Sequence, residues 1–174
     1  FFSPTTRNTR LKCDWSSDVR SSDLFKAAID AGAGTFMASF NEINGVPSSA
    51  SRFLLTTILR DEWNFDGFVV SDWNSIGELL PHGYATSPAN AAELAINAGL
   101  DMDMTSGCYR DNLESLISQG RVRAATVDDA VRRILLMKFH LGLFADPYRA
   151  CTPEREAKTL RSAANIEAAR SVAR

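Results

Sequence analysis

Apolar and polar positions along this chain fall into two rhythms, a helical one near 3.6 residues and short unbroken apolar runs of strand type. Residues 25–31 (FKAAIDA) read as the last turns of a helix, closed by Gly32 and Gly34. Residues 35–40 follow as a strand and run into a polar turn over 41–47. Ser51 offers a cap to a helix in which Phe53, Leu54, Leu55, Ile58, Leu59 and Trp63 recur at three- and four-residue steps. Asn64-Phe65-Asp66-Gly67 then turns the chain into a second strand, Phe68-Val69-Val70. Ser87 as cap and Pro88 at the first helical position predict a helix to Ala98, ended by Gly99. Residues 100–104 form a third short strand. Leu113, Leu116 and Ile117 mark an amphipathic helix over 109–119, stopped at Gly120. Thr126-Val127-Asp128-Asp129 reads as a capping signature for a further helix, which Gly142 closes. A linker opens at Asp146-Pro147, and Pro153 precedes one final alanine-rich helix.

Strands alternating with helices predict an α/β fold built from parallel βαβ units. A closed barrel of this kind takes about 250 residues. Three strands therefore predict a partial TIM-type (β/α)8 barrel, its C-terminal half. An open doubly wound sheet is the alternative, but no glycine-rich phosphate loop follows any strand; Gly32 and Gly34 only weakly mimic one. Residues 1–24 stand apart, with no hydrophobic period and a near-repeat of Ser-Ser-Asp at 16–18 and 21–23. The stretch 14–24 resembles one reading frame of a common sequencing adapter, and 1–24 are expected to be a processing artefact. A disordered tail and a Ser-rich phosphorylation segment rank below. The expected division is thus 1–24 set aside, 25–145 the barrel half, and 146–174 a linker with the start of a further helix.

The composition is that of an ordinary globular domain: 174 residues, 45% hydrophobic and 23% charged. A formal net charge of -2 presents no basic surface for nucleic acid or an anionic membrane. No apolar run approaches the ~20 residues of a membrane-spanning helix. Cys13, Cys108 and Cys151 are widely spaced, odd in number and without a CxxC pair, which argues against a disulfide framework or a zinc site. With Cys13 set aside, the other two read as buried thiols. Only two histidines are present, so no metal and no cofactor is expected. The first residues lack the layout of a signal peptide and carry no address.

Each strand runs out into polar residues: Asn41, Glu42 and Asn44 after the first, Asp72 and Trp73 after the second, Asp101 and Asp103 in the third. In barrels of alternating strands and helices, the C-terminal ends of the strands line the active site. Carboxylates, amides and an indole on one rim suit a ligand with many hydroxyls and an apolar face, such as a sugar. Asp72 could equally cap the segment after it. Asp101 and Asp103 could be strand-end structure or sugar contacts. His82 and Tyr84 lie in a loop that could reach a substrate, though an exposed loop histidine more often has no such role. His140, at a helix end, reads as structural.

Several motifs, in order, carry a family likeness: Met37-Ala38-Ser39-Phe40-Asn41, Asn44-Gly45-Val46-Pro47, Leu59-Arg60, Phe65-Asp66-Gly67-Phe68-Val69-Val70-Ser71-Asp72-Trp73, Ala98-Gly99-Leu100-Asp101-Met102-Asp103-Met104 and Leu141-Gly142-Leu143-Phe144. Over 25–174 the chain resembles glycoside hydrolase family 3, within it most nearly the bacterial periplasmic β-glucosidases. The resemblance implies that Asp72 is the nucleophile of a retaining mechanism, forming a covalent glycosyl-enzyme on a β-linked oligosaccharide or aryl glucoside. It implies that Trp73, Phe40 and Asn41 border the substrate. Many relatives carry tyrosine where Phe40 stands, so Asp72 would rely on other donors. The general acid/base is implied to be a glutamate of a second, α/β sandwich domain that this chain does not include. Further sugar-holding residues are implied upstream. The chain is therefore expected to be inactive alone, and a periplasmic or secreted location follows from the family only. A non-catalytic carbohydrate-binding barrel, or β-xylosidase or β-N-acetylglucosaminidase specificity, are the alternatives.

Overall fold

The computed structural model describes residues 21–173, so the artefact reading of 1–24 falls outside the described residues up to Arg20, and with it Cys13. The described chain is mixed α/β and divides into two compact units, one ending at Met137 and the other spanning 138 onward.

In the first unit, α1 (Ser21–Asp30) ends where Gly32 takes a left-handed φ of 89°. It is longer at its start than the apolar period alone suggested. β1 (Thr35–Ala38) then pairs in parallel with β4 (Phe68–Ser71), Thr35 opposite Phe68 and Ala38 opposite Ser71. Between them lie a small hairpin of β2 (Glu42–Ile43) and β3 (Val46–Pro47) and a ten-residue helix, Phe53–Glu62. The hairpin loop is Asn44-Gly45, with φ 54° and 76°; both residues are left-handed, as a tight two-residue turn requires. The Phe53–Glu62 helix is wound in the wide π manner, its exit bond running from the Trp63 amide to the Ile58 carbonyl. Such winding is rare over so many residues and is not written in a three-to-four-residue apolar period.

Alternation along the strands decides what they cover. Ala38, Val69 and Ser71 turn into the core, with Phe36 packed against it. Met37 and Met102, 52% and 42% exposed, lie on the opposite face with Val70 between them in register. α2 (Pro88–Ala98) packs on the core side through Ala91, Ala92, Ala95 and Ile96, all essentially buried. Its start is as read: Ser87 Oγ accepts the Asn90 amide at 3.1 Å, and Gly99 closes it at φ 103°. α3 (Cys108–Ser118) lies against α2, with Leu116 fully buried. A Cβ at Gly67 would stand 2.1 Å from the Gly34 carbonyl oxygen, so the segments entering β1 and β4 approach as closely as they do only because position 67 is glycine.

Four expectations need correction. The third strand is reduced to a single parallel bridge, Val70 to Met102, although Ser71 and Asn74 donate to the carbonyls of Met102 and Met104, both at 2.9 Å. Asp101 explains the shortening, because its side chain takes up the Val69 amide and holds the segment at strand spacing for two residues only. α4 (Ala124–His140) starts two residues before the Thr126 cap signature, since Ala124 and Ala125 are strong helix formers and the Arg123 carbonyl already receives the Thr126 amide. In the second unit, the predicted single final helix is two: α5 (Pro153–Thr159) and α6 (Ala163–Val172). Arg161 is left-handed at φ 56°, and Ser162 Oγ accepts the Asn165 amide to start α6 afresh. Cys108 is buried as expected, but Cys151 is exposed in the loop before α5.

Within the first unit, the tie between elements is ionic. Asp101, its side chain almost wholly buried, accepts Arg60 Nη2 at 2.5 Å and Val69 N at 2.8 Å on one oxygen, and Arg133 Nη1 at 2.7 Å on the other. Arg60 also reaches the carbonyls of Phe65 and Gly67 and lies over the Phe65 ring. Burial pushes the Asp101 carboxyl above its ordinary value, while Arg60, the Val69 amide and Arg133 pull it back. Burial likewise lowers Arg60 from its ordinary value, against the pull of Asp101. Breaking such an assembly strands two guanidinium groups. Asp101→Ala is therefore expected to cost about 3–5 kcal/mol, read as a fall in the urea midpoint at unchanged m-value; a loss under ~1 kcal/mol would contradict the role given to this carboxylate.

Candidate active site

Asp72 is the first residue beyond β4. Its amide donates to the Ala38 carbonyl at 3.0 Å, a ladder bond that reaches from one residue past β4 to the last residue of β1. Its carbonyl receives the Ser75 amide at 3.1 Å, so the chain turns at once. The side chain is half-buried, and Oδ1 accepts the Trp73 amide at 2.7 Å. That is the single side-chain hydrogen bond of Asp72 among the described residues, and Oδ2 is left open. A capping aspartate would instead bond an amide two or three residues into the next helix. The next helical turn, Gly77–Leu79, begins five residues later and takes no bond from Asp72. The geometry thus goes against the cap reading.

Several contacts hold this turn. Ser71 Oγ, fully buried, donates to the Asp72 carbonyl at 2.9 Å and accepts the Met104 amide at 2.8 Å. Ser75 Oγ and Ser49 Oγ share a buried hydrogen bond at 2.7 Å. Ile76 and Leu79 are buried below them. The carboxylate therefore sits on a turn clamped on three sides, with its own oxygen facing outward.

Trp73 follows at 66% exposure, an indole presented to solvent beside the carboxylate. Phe40 is half-buried and Asn41 exposed, just past the end of β1. The Asn41 backbone carbonyl accepts both the amide and the hydroxyl of Ser48, at 2.9 and 2.7 Å. Asn44 is spent on the hairpin turn. Glu42 Oε1 meets His82 Nδ1 at 2.7 Å, a contact that nothing in the spacing of residues 42 and 82 announces.

The third polar cluster is structural. Asp101 is enclosed by its arginines, and Asp103 caps α3 from outside. Asp103 accepts the Ser106 amide and hydroxyl, and its Oδ2 takes the Tyr109 amide at 3.2 Å, inside the first turn of α3. This serves the helix where Gly107 has no side chain to do so. Tyr109 in turn donates its buried hydroxyl to the Leu100 carbonyl at 2.8 Å, and burial pushes that phenol well above its ordinary value. His140 is the last residue of α4. Among the described residues, no group of His, Cys, Asp and Glu could hold a metal ion, and no helix is long and apolar enough to cross a membrane.

A rim carboxylate beside an exposed indole can act as a nucleophile or charge stabiliser toward a polar ligand that stacks one apolar face. The chain is also similar to known proteins. The family model described as the glycosyl hydrolase family 3 N terminal domain matches residues 16–137. The chain is 44% identical over 130 residues to a periplasmic beta-glucosidase of Salmonella typhimurium, a match covering 75% of this chain and 17% of that protein. It is 40% identical over 126 residues to a putative beta-xylosidase of Formosa agariphila, covering 71% of this chain and 17% of the relative. A crystal structure of beta-glucosidase from Listeria innocua in complex with isofagomine superposes with a TM-score of 0.77 at 38% identity, over 80% of this chain and 20% of that one. The chain thus spans about a fifth or less of the length of these relatives.

Because Asp103 caps α3, Asp103→Ala is expected to cost about 1–2 kcal/mol of stability, the usual scale for a lost cap. Thermal unfolding would read it, and an unchanged Tm would put Asp103 outside the capping role.

Proposed function

From its membership of glycosyl hydrolase family 3, to which the chain belongs, we propose that it is a segment of a retaining β-glycosidase with Asp72 as nucleophile. The observation that carries this is the placement of Asp72: a half-buried carboxylate with one open oxygen, one step past a buried parallel strand, next to an exposed indole. In the reaction, a carboxylate oxygen of Asp72 attacks the anomeric carbon of a terminal β-D-glucosyl residue. The bond to the leaving oxygen breaks, and a separate acid delivers a proton to that oxygen. Water, deprotonated by the same group, then cleaves the glycosyl ester and restores Asp72. Trp73 stacks on the sugar, while Phe40 and Asn41 border the pocket. The substrate is a β-linked oligosaccharide or aryl glucoside. The name beta-xylosidase on one relative keeps a xyloside as the second reading of the sugar.

The same proposal gives the fold its larger frame. Residues 25–145 are the C-terminal half of a (β/α)8 barrel, and 146–174 a linker and the start of a helix toward an α/β sandwich domain. Met37, Val70 and Met102 support this, because they form an uncovered apolar face of parallel strands where a barrel keeps its interior. The two carboxyl groups of a retaining pair stand about 5–5.5 Å apart. Glu42 is engaged with His82, and Glu78 is half-buried in the turn after β4. The acid/base is therefore assigned to the second domain, and a periplasmic or secreted location to the parent protein.

In the full-length polypeptide, a mechanism-based fluorinated glucoside should label one peptide, and peptide mass analysis should place the sugar on Asp72. Label on another residue, or none in an enzyme that turns over, would end this reading. Asp72→Ala should lower kcat at least on the order of 10³-fold, the scale on which loss of a nucleophile acts. The 174-residue chain by itself should release no measurable aglycone from an aryl β-glucoside, and vigorous hydrolysis by it would contradict the assignment of the acid to another domain.

A further inference from the structure

Glu42 and His82 take no part in the chemistry above, yet they join the two loops that flank Asp72. Three cross-links tie the segment after β4 to the segment after β1. The innermost is the Asp72 amide on the Ala38 carbonyl, at 3.0 Å. The middle one is the buried Ser75–Ser49 hydroxyl pair at 2.7 Å. The outermost is His82 Nδ1 to Glu42 Oε1, also 2.7 Å.

These three differ in what else secures them. The inner two lie where Ser71, Ile76 and Leu79 are buried, so packing alone would hold that part of the loop. Beyond Leu80 the chain emerges: Pro81, His82 and Gly83 are exposed, with Gly83 left-handed at φ 69°. The tip keeps local backbone bonds, His82 N to the Glu78 carbonyl and Gly83 N to the Leu80 carbonyl. Among the described residues, the Glu42 contact is the only side-chain hydrogen bond that joins residues 80–85 to another segment. Its partner is well placed to anchor it. Glu42 opens the β2–β3 hairpin, which is closed by a two-residue turn and pinned by the Ser48 amide on the Asn41 carbonyl.

We propose that Glu42 and His82 are a positioning pair for the glycosidase site: they clasp the exposed 81–83 loop tip to the hairpin, so that a sugar reaching Asp72 meets a rim of one width. This rests on the glycosidase reading above. The Nδ1–H of either the neutral ring or the imidazolium can donate to the carboxylate, so the contact fixes ring orientation in both forms. A partly exposed pair of this kind adds little to global stability. Its effect falls on the local opening of the two loops it joins.

Two measurements test the clasp. In the chain itself, amide hydrogen exchange in Glu42→Ala and in His82→Ala should quicken in both loops, 43–46 and 82–84, by about 10-fold, while Val69 and Val70 keep wild-type protection. Quickening in one loop only, or in neither, overturns the proposal. In the full-length polypeptide, each alanine variant should raise KM about 3- to 10-fold, the worth of one hydrogen bond, with kcat within about twofold. The double variant should be no worse than the poorer single, and His82→Gln, which keeps a donor, should recover most of the loss. Additive effects, or a fall in kcat at unchanged KM, would refute the positioning role. Should Asp72→Ala retain full turnover, the glycosidase reading fails by itself, while the exchange result still decides whether the clasp exists.

Discussion

A buried carboxylate must have its oxygens satisfied, and in this protein that requirement falls on Asp101. Its donors come from the Phe53–Glu62 helix, β4 and α4, three elements joined through this one carboxylate. Burial works against the charged form of both Asp101 and Arg60, so the assembly persists only while every partner stays in place. Because Asp101 binds the Val69 amide, the chain at 101–104 is held beside β4. The carbonyls of Met102 and Met104 are then in reach of Ser71 and Asn74, on either side of Asp72. The turn that carries Asp72 is an indirect product of this one ionic knot.

Around the knot, close approach is made by small residues. Alanines on α2 bring that helix onto the core, and Gly67 lets the strand entries touch backbone to backbone. Hydroxyls then replace bulk as the connectors: Ser49 with Ser75, Ser71 with Met104, and Thr56 Oγ1 on the Ala98 carbonyl at 2.8 Å. Short polar links of this sort set loop position to within a hydrogen bond's tolerance, which a site working on reacting atoms needs. The cover is one-sided. The face bearing Met37 and Met102 has no partner among the described residues, and the proposed barrel frame rests on that asymmetry.

Much of the candidate site could be read before any coordinates. Asp72 and Trp73 stand out because a short β-branched run ends on them, and strand ends are where such folds place reactive groups. The caps at Ser87 and Gly99 were equally plain, since each is decided by residues within one turn. Asp101 and Asp103 show the limit. As letters in the same short run they look alike. One is sealed by arginines 41 and 32 positions away, while the other caps a helix that starts five residues on. The Glu42–His82 contact was invisible for the same reason, because forty residues separate its members. Where helices started and stopped also escaped the period in places. The π winding of Phe53–Glu62 and the left-handed break at Arg161 are backbone choices that hydrophobic spacing does not encode.

By itself the sequence determined the local matters: the alternation of strands and helices, the order of motifs that marks the family, and a carboxylate and indole delivered at the end of a buried strand. These follow from residue type over a few neighbouring positions, where propensity, capping and period act. Only the tertiary structure decided which polar residues are consumed in holding the fold and which are left facing outward. That choice depends on partners brought together across tens of residues, and on whether burial leaves an oxygen any alternative but the arginine beside it.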